Sequence, residues 1–211
     1  MVTKPTNGKS EVFAPEPTNG AEGQIAYEYP FVCEFTLKGV VPILFHRWNT
    51  EAVAEQAAAR KGSAAKKTDN IESYVYRNDD GEICIPGFYV HGALVNAAKY
   101  RQDPRSSRKS AMDLYKAAIS PLTDMASLGQ ADWDFIDSRR VTVQRAGITR
   151  SRPGFNAGWE ATFEFSVNLP EYVAPMDFLD VLTLAGRVTG LADNRPTYGR
   201  FAITRFDTRE A

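Results

Sequence analysis

Apolar and polar positions alternate without a break from Trp159 to Asn168. Trp159, Ala161, Phe163, Phe165 and Val167 fall on one side, and Glu160, Thr162, Glu164 and Ser166 on the other. A period of two predicts a half-buried strand. The stretch Phe31–Leu37 alternates in the same way, and Val40–Phe45 extends or reverses it. Helical spacing marks 88–100, 106–119 (stopped by Pro121) and 176–185,. Glu51–Arg60 reads as a short alanine-rich helix with Thr50 as its cap, followed by a polar, lysine-bearing stretch to Asn70,. Asn78–Gly81 is a turn between short strands, the second of which, Ile83–Ile85, enters Pro86-Gly87,. Val141–Gln144 reads as a strand, Arg145–Gly158 as a polar excursion and Phe201–Phe206 as the last strand.

The order strand, helix, strand, strand, helix, strand predicts an α+β fold of the ferredoxin-like, RRM type, an antiparallel sheet with helices on one face. Insertions follow the first strand, over 46–82, and interrupt the central hairpin. Residues 1–24, rich in Pro, Gly, Thr, Asn and Glu, read as a disordered leader, and 25–211 as a single domain,. No apolar run reaches membrane-spanning length and the N-terminal residues lack a signal-peptide core, so no membrane association and a cytoplasmic protein are expected,.

Cys33, Cys84, His46 and His91 are the only cysteines and histidines, and none of their spacings suits zinc,. Cys33 shares a strand face with Phe31, Phe35 and Leu37 and reads as a buried thiol. The scarcity of histidine also argues against a histidine-based triad.

The net charge of −1 hides a strong segregation. Arg139 to Arg152 holds five arginines and no acid, and Lys99 to Lys116 six bases against two acids. Asp124–Asp137 and Glu160–Asp180 are purely acidic. Either one face is strongly positive, as a nucleic-acid binder needs, or the blocks neutralise one another as solvated surface.

The C-terminal loop sharpens the choice. Gly186, Gly190 and Gly199 are interleaved with Arg187, Arg195 and Arg200. Glycine lets a ligand approach the backbone, and arginine offers forked donors to phosphate. A plain turn is the other reading. At the other end, a helix starting after Pro86-Gly87 presents free amides to an anion, unless the pair is only a turn.

Three segments in this order resemble motifs of the RAMP proteins, the CRISPR-associated repeat-associated mysterious proteins. Ile85-Pro-Gly-Phe-Tyr-Val-His-Gly-Ala-Leu94 resembles their IPG helix start. Arg139-Arg-Val-Thr-Val-Gln-Arg145 with Gly158–Phe165 resembles their arginine hairpin. Ala185-Gly186 through Tyr198-Gly199-Arg200-Phe201 is similar to their C-terminal glycine loop. Within the family the likeness is to the backbone subunit of type III CRISPR effector complexes. The departures are Ala185 for one of the paired glycines, Gln144 for the hairpin aspartate, and an enlarged Leu191–Pro196 loop.

The resemblance implies an RNA-binding subunit that polymerises along a guide RNA, with the complementary target strand and other effector subunits as partners. The palm would include Gly87, His91, Arg187, Arg195, Tyr198 and Arg200, and the 145–158 excursion would be a thumb. Arg139, Arg140, Arg145, Arg150 and Arg152 supply charge, and Phe155, in a polar loop, reads as a base contact. Trp159 starts the apolar face of its strand and reads as core. Tyr198 is balanced between packing and contact, and His46 and Arg47 face either RNA or solvent. The alternative is a phage- or plasmid-borne relative that binds single-stranded DNA or assembles with itself or a partner.

The resemblance also places a cleaving aspartate of type III subunits near Asp69. A loop carboxylate could hold a magnesium ion that helps a 2′-hydroxyl attack its phosphate. One aspartate with no second ligand is a poor metal site, so Asp69 reads rather as a solvated loop residue. The expectation is binding without cofactor or catalysis.

Overall fold

The computed structural model of the protein describes residues 28–48, 58, 70–143 and 146–211. The leader, the 51–60 helix and most of the 46–82 insertion therefore lie outside the described residues.

Four strands make the central antiparallel sheet: β1 (Phe31–Gly39), β5 (Ile119–Pro121), β9 (Glu160–Val167) and β10 (Phe201–Glu210). Their order across the sheet is β10-β1-β9-β5. This is the ferredoxin-like order, with α1 (Gly87–Ala98) and α3 (Pro175–Val188) as its two helices,. Alternation sends Phe31, Cys33, Phe35 and Leu37 of β1 and Ala161, Phe163, Phe165 and Val167 of β9 to one face, where all are buried. Phe178 of α3 meets them, its ring 5.7 Å from that of Phe35, which lies 5.5 Å from Phe165. Burial pushes the Cys33 thiol far above its ordinary pKa, the state of an inert core group,. Trp159 is core as its pattern predicts, its indole lying across Gly39 and donating from Nε1 to the Val41 carbonyl at 3.0 Å.

The second strand of the sheet is not Val141–Gln144 but Ile119–Pro121, paired with the end of β9. The proline is tolerated because β5 is an edge strand,. What precedes it is also shorter than its periodicity predicts: α2 covers only Met112–Ala118. Asp103 takes the upstream residues out of the helix by accepting from the Arg105 backbone N–H at 2.9 Å and from its guanidinium at 2.9 and 2.8 Å,.

The whole of 122–159 is thus inserted between β5 and β9. It contains β6 (Met125–Ser127) and a long ribbon, β7 (Phe135–Val143) and β8 (Ala146–Phe155). The polar excursion is therefore mostly a regular strand, and its hairpin starts near Phe135 rather than at 145. The ribbon seats on β2 (Ile43–Leu44) through Ile43 opposite Phe155. β3 (Tyr76–Arg77), β4 (Ile83–Pro86) and β6 make a third, small sheet that leads into α1. No described helix is long and apolar enough to cross a membrane.

The free face of the central sheet carries a ladder of self-compensating charges. Lys38 pairs with Glu160 at 2.7 Å, Arg205 with Glu34 at 3.0 Å and Arg209 with Glu164 at 2.9 Å. Thr36 and Thr162 share a hydrogen bond between them. An RRM stacks bases on aromatic side chains of this face. Here those positions are Thr, Glu, Lys and Arg, so a binding surface must lie elsewhere.

Candidate nucleic-acid interface

Ribbon register decides which arginines share a face. Arg139 stands opposite Arg150, and Asp137 opposite Arg152. Alternation therefore puts these four on one face of the ribbon and Ser138, Arg140 and Ser151 on the other. Two arginines directly opposed repel unless each is held. Arg139 is held by Asp137, whose carboxylate accepts from its Nε at 2.8 Å, and by Tyr198, whose ring lies 5.2 Å below the guanidinium and whose hydroxyl accepts from Nη2. The Asp137 hydrogen bond and charge raise the Arg139 pKa further. Arg150 donates to the Tyr74 hydroxyl at 3.3 Å. Arg152 donates to Asp193 of the glycine loop, strapping ribbon to loop.

The strip after β2 joins the same surface. The Arg47 amide donates to the Tyr74 carbonyl at 2.9 Å, and its guanidinium sits 4.6 Å over the Tyr76 ring. The His46 ring meets Tyr74 edge-on at 4.5 Å. Tyr76 in turn begins an aromatic cluster with Phe88 and Tyr89 on the first turn of α1, all edge-to-face at 4.9 to 6.1 Å. Burial and then the neighbouring Tyr76 hydroxyl raise the Tyr89 pKa; the Asp193 charge adds to the rise and Arg195 opposes it. Phe88 stays half exposed, at 51%. The result is a contiguous band of aromatic faces and guanidiniums built from the strip after β2, the lead-in to α1, the ribbon and the C-terminal loop.

The structure brings Arg47, Arg139, Arg150, Arg152, Arg195 and Tyr198 into this band. Arg187 and Arg200 are exposed at the two roots of the loop, and Arg140 is exposed on the opposite ribbon face. Arg145 and Asp69 lie outside the described residues.

Other sequence expectations are corrected. Phe155 is not a loop contact: it is 1% exposed and packs edge-on against Phe45 at 6.0 Å. Gly87 is buried, its amide donates to the Asp124 carbonyl at 2.8 Å, and a Cβ there would stand 2.1 Å from the Thr123 carbonyl oxygen. Its missing side chain serves packing, and the amide is not free for an anion. His91 is half-buried, and burial lowers its pKa while hydrogen bonding with backbone groups of Ile119 and Lys116 opposes that fall. The loop glycines likewise face their own chain. Gly199 has φ +73°, its amide donates to the Pro42 carbonyl at 2.8 Å, and a Cβ would meet the Leu191 carbonyl at 2.0 Å,. The loop shapes the band through side chains at its tip, not through backbone opened to a ligand.

Sequence reasoning missed Tyr74, Tyr76, Phe88 and Tyr89. The available signal was their density: four aromatics within sixteen positions on either side of a polar turn.

No family model matches the chain and no curated protein matches it in sequence. Among solved structures, it is similar to a chain of the cryo-EM structure of the Type III-B Cmr-beta bound to cognate target RNA, with a TM-score of 0.50 and 7% identity. The match covers 86% of this chain and 61% of that one, so this chain spans less than two thirds of its neighbour's length. At that identity the likeness is one of fold: an α+β architecture built on a four-stranded antiparallel sheet.

Proposed function

We propose that the chain is an RNA-binding subunit that lies along a CRISPR guide RNA as a repeating protomer. The guide pairs with a complementary target strand in an antiviral effector complex in the cytoplasm. The observation that carries this reading is the band itself. Arginines from the strip after β2, the ribbon and the glycine loop alternate with tyrosine and phenylalanine faces, while the sheet's free face is neutralised by its own pairs. Guanidiniums suit phosphates and exposed aromatic faces suit bases, and neither reads sequence. The fold likeness to a subunit of an RNA-bound complex supports the same partner class.

Binding is part of the proposal; cleavage is not. The test is titration of labelled RNA and of DNA of matched sequence across a salt series. Two phosphate contacts removed by Arg47→Ala with Arg150→Ala lower the slope of log affinity against log salt by about 1.4, at about 0.7 per phosphate on a single strand. Phe88→Ala weakens binding by about 1–3 kcal/mol if its exposed ring stacks a base. Unchanged affinity and slope in the arginine pair remove the band from the argument. Equal affinity for DNA shifts the reading to a single-strand binder, and assembly indifferent to RNA shifts it to a self-assembling protein.

A further inference from the structure

The basic block after α1 is not absorbed by the band. Between Lys99 and Lys109 the chain carries five bases against one acid, Asp103. That acid is turned inward, 3% exposed and hydrogen-bonded chiefly to Arg105, with Lys109 a weaker electrostatic neighbour, so it offsets little of the outward charge. The loop is also fixed. The Asp103 amide donates to the Lys109 carbonyl and the Ala111 amide to the Arg101 carbonyl, both at 2.9 Å, with a Gln102–Ser110 bridge between them.

Lys99, Arg108 and Lys109 are exposed on this rigid hairpin and make no close ion pair among the described residues, and Arg101 reaches Asp180 only at 3.9 Å. Beside them Tyr100 is 61% exposed, with the Lys99 ammonium 4.8 Å from its ring centre. A solvated lysine surface needs neither an ordered scaffold nor an exposed tyrosine in its midst. We propose that this hairpin is a second contact surface for the sugar–phosphate backbone of a nucleic-acid strand. Lys99, Arg108 and Lys109 would take phosphates, and Tyr100 a base or ribose face.

The two surfaces lie at opposite ends of α1, whose twelve residues separate them by about 18 Å,. A stacked strand rises about 3.4 Å per nucleotide along its axis, so about five stacked nucleotides bridge that gap. The inference rests on the RNA-binding reading, extending one strand, or a second one, across the helix.

The variant Lys99→Gln/Arg108→Gln/Lys109→Gln changes only exposed side chains and keeps the fold, which a melting curve verifies. Against an RNA of about 20 nucleotides, its affinity falls about 10-fold and its salt slope falls by about 2, as three lost contacts at about 0.7 each require. Against an oligonucleotide of about 4 nucleotides, too short to reach from one surface to the other, affinity stays within about 2-fold. Lys109→Glu with Arg108→Glu deepens the loss on the longer strand. Identical slopes for wild type and both variants on the longer RNA overturn the inference and leave the band standing. If the wild-type protein binds neither length, the RNA-binding reading fails, and the second surface with it.

Discussion

Replacing Phe155 by alanine separates a core role from a contact role. The side chain is 1% exposed, its ring meets Phe45 at 6.0 Å, and its backbone pairs with Ile43, itself fully buried. Collapse into the vacated space is limited, because Ile43, Leu44 and Gly154 are held in the β2–β8 pairing. A Phe→Ala change in such a site costs about 3–5 kcal/mol. For a chain of this length each kcal/mol lowers the melting temperature by about 2–4 °C, so the midpoint falls on the order of 10 °C. The assay is thermal and urea denaturation of wild type and Phe155→Ala, with RNA titration well below the lowered midpoint. Binding there stays within about 2-fold, since an exposed-surface effect of this substitution would be near zero in stability. A stability loss under about 1 kcal/mol together with a 10-fold drop in affinity would refute the reasoning and return Phe155 to the surface.

Further expectations follow from the same geometry. Gly199→Ala places a Cβ 2.0 Å from the Leu191 carbonyl at φ +73°, so it destabilises by about 1–3 kcal/mol or more in urea unfolding,. The Asp103 carboxyl is held down at about 2, chiefly by its hydrogen bonds from Arg105. A lowered folded-state pKa confers stability that is complete above the unfolded value, near 4, and is lost as pH falls towards 2. The urea midpoint of wild type therefore drops over that window, and Arg105→Ala flattens the drop. Thr36→Val with Thr162→Val, on the free sheet face, leaves RNA affinity within about 2-fold if binding avoids that face; a larger loss would restore an RRM-type platform.

How much was legible depends on how each element is held. β1, β9 and α3 bury one face against the core, so their periodicity is written in Phe31 to Leu37, Trp159 to Val167 and Phe178 to Leu182. β8 is not legible in that way. Gly147, Pro153 and Gly154 interrupt its pattern, and its extended form comes from its partner β7 and from the seat on β2,. Nor could a helical pattern over 106–119 reveal that Asp103 and Arg105 claim the upstream backbone. Arg139, Arg150 and Arg152 stood out as charge, but their common face follows from a register that the sequence does not state. The aromatic cluster was visible only as local density: that Tyr76 meets the rings of Phe88 and Tyr89 follows from the β3–β4 hairpin, whose pairing the sequence does not state.

The distribution of paired and unpaired charge then explains how a chain of net charge −1 can present a cationic band. On the central sheet each base has an acid within reach, and those pairs occupy the surface that related topologies use for bases. In the band, two carboxylates, Asp137 and Asp193, serve to orient Arg139 and Arg152, while a tyrosine face holds Arg47. A guanidinium stacked on a ring keeps its donors and its charge available, whereas one forked onto a carboxylate does not. Because the band is assembled from segments inserted after β1 and between β5 and β9, together with the loop before β10, its charge can change with little cost to the ferredoxin-like core.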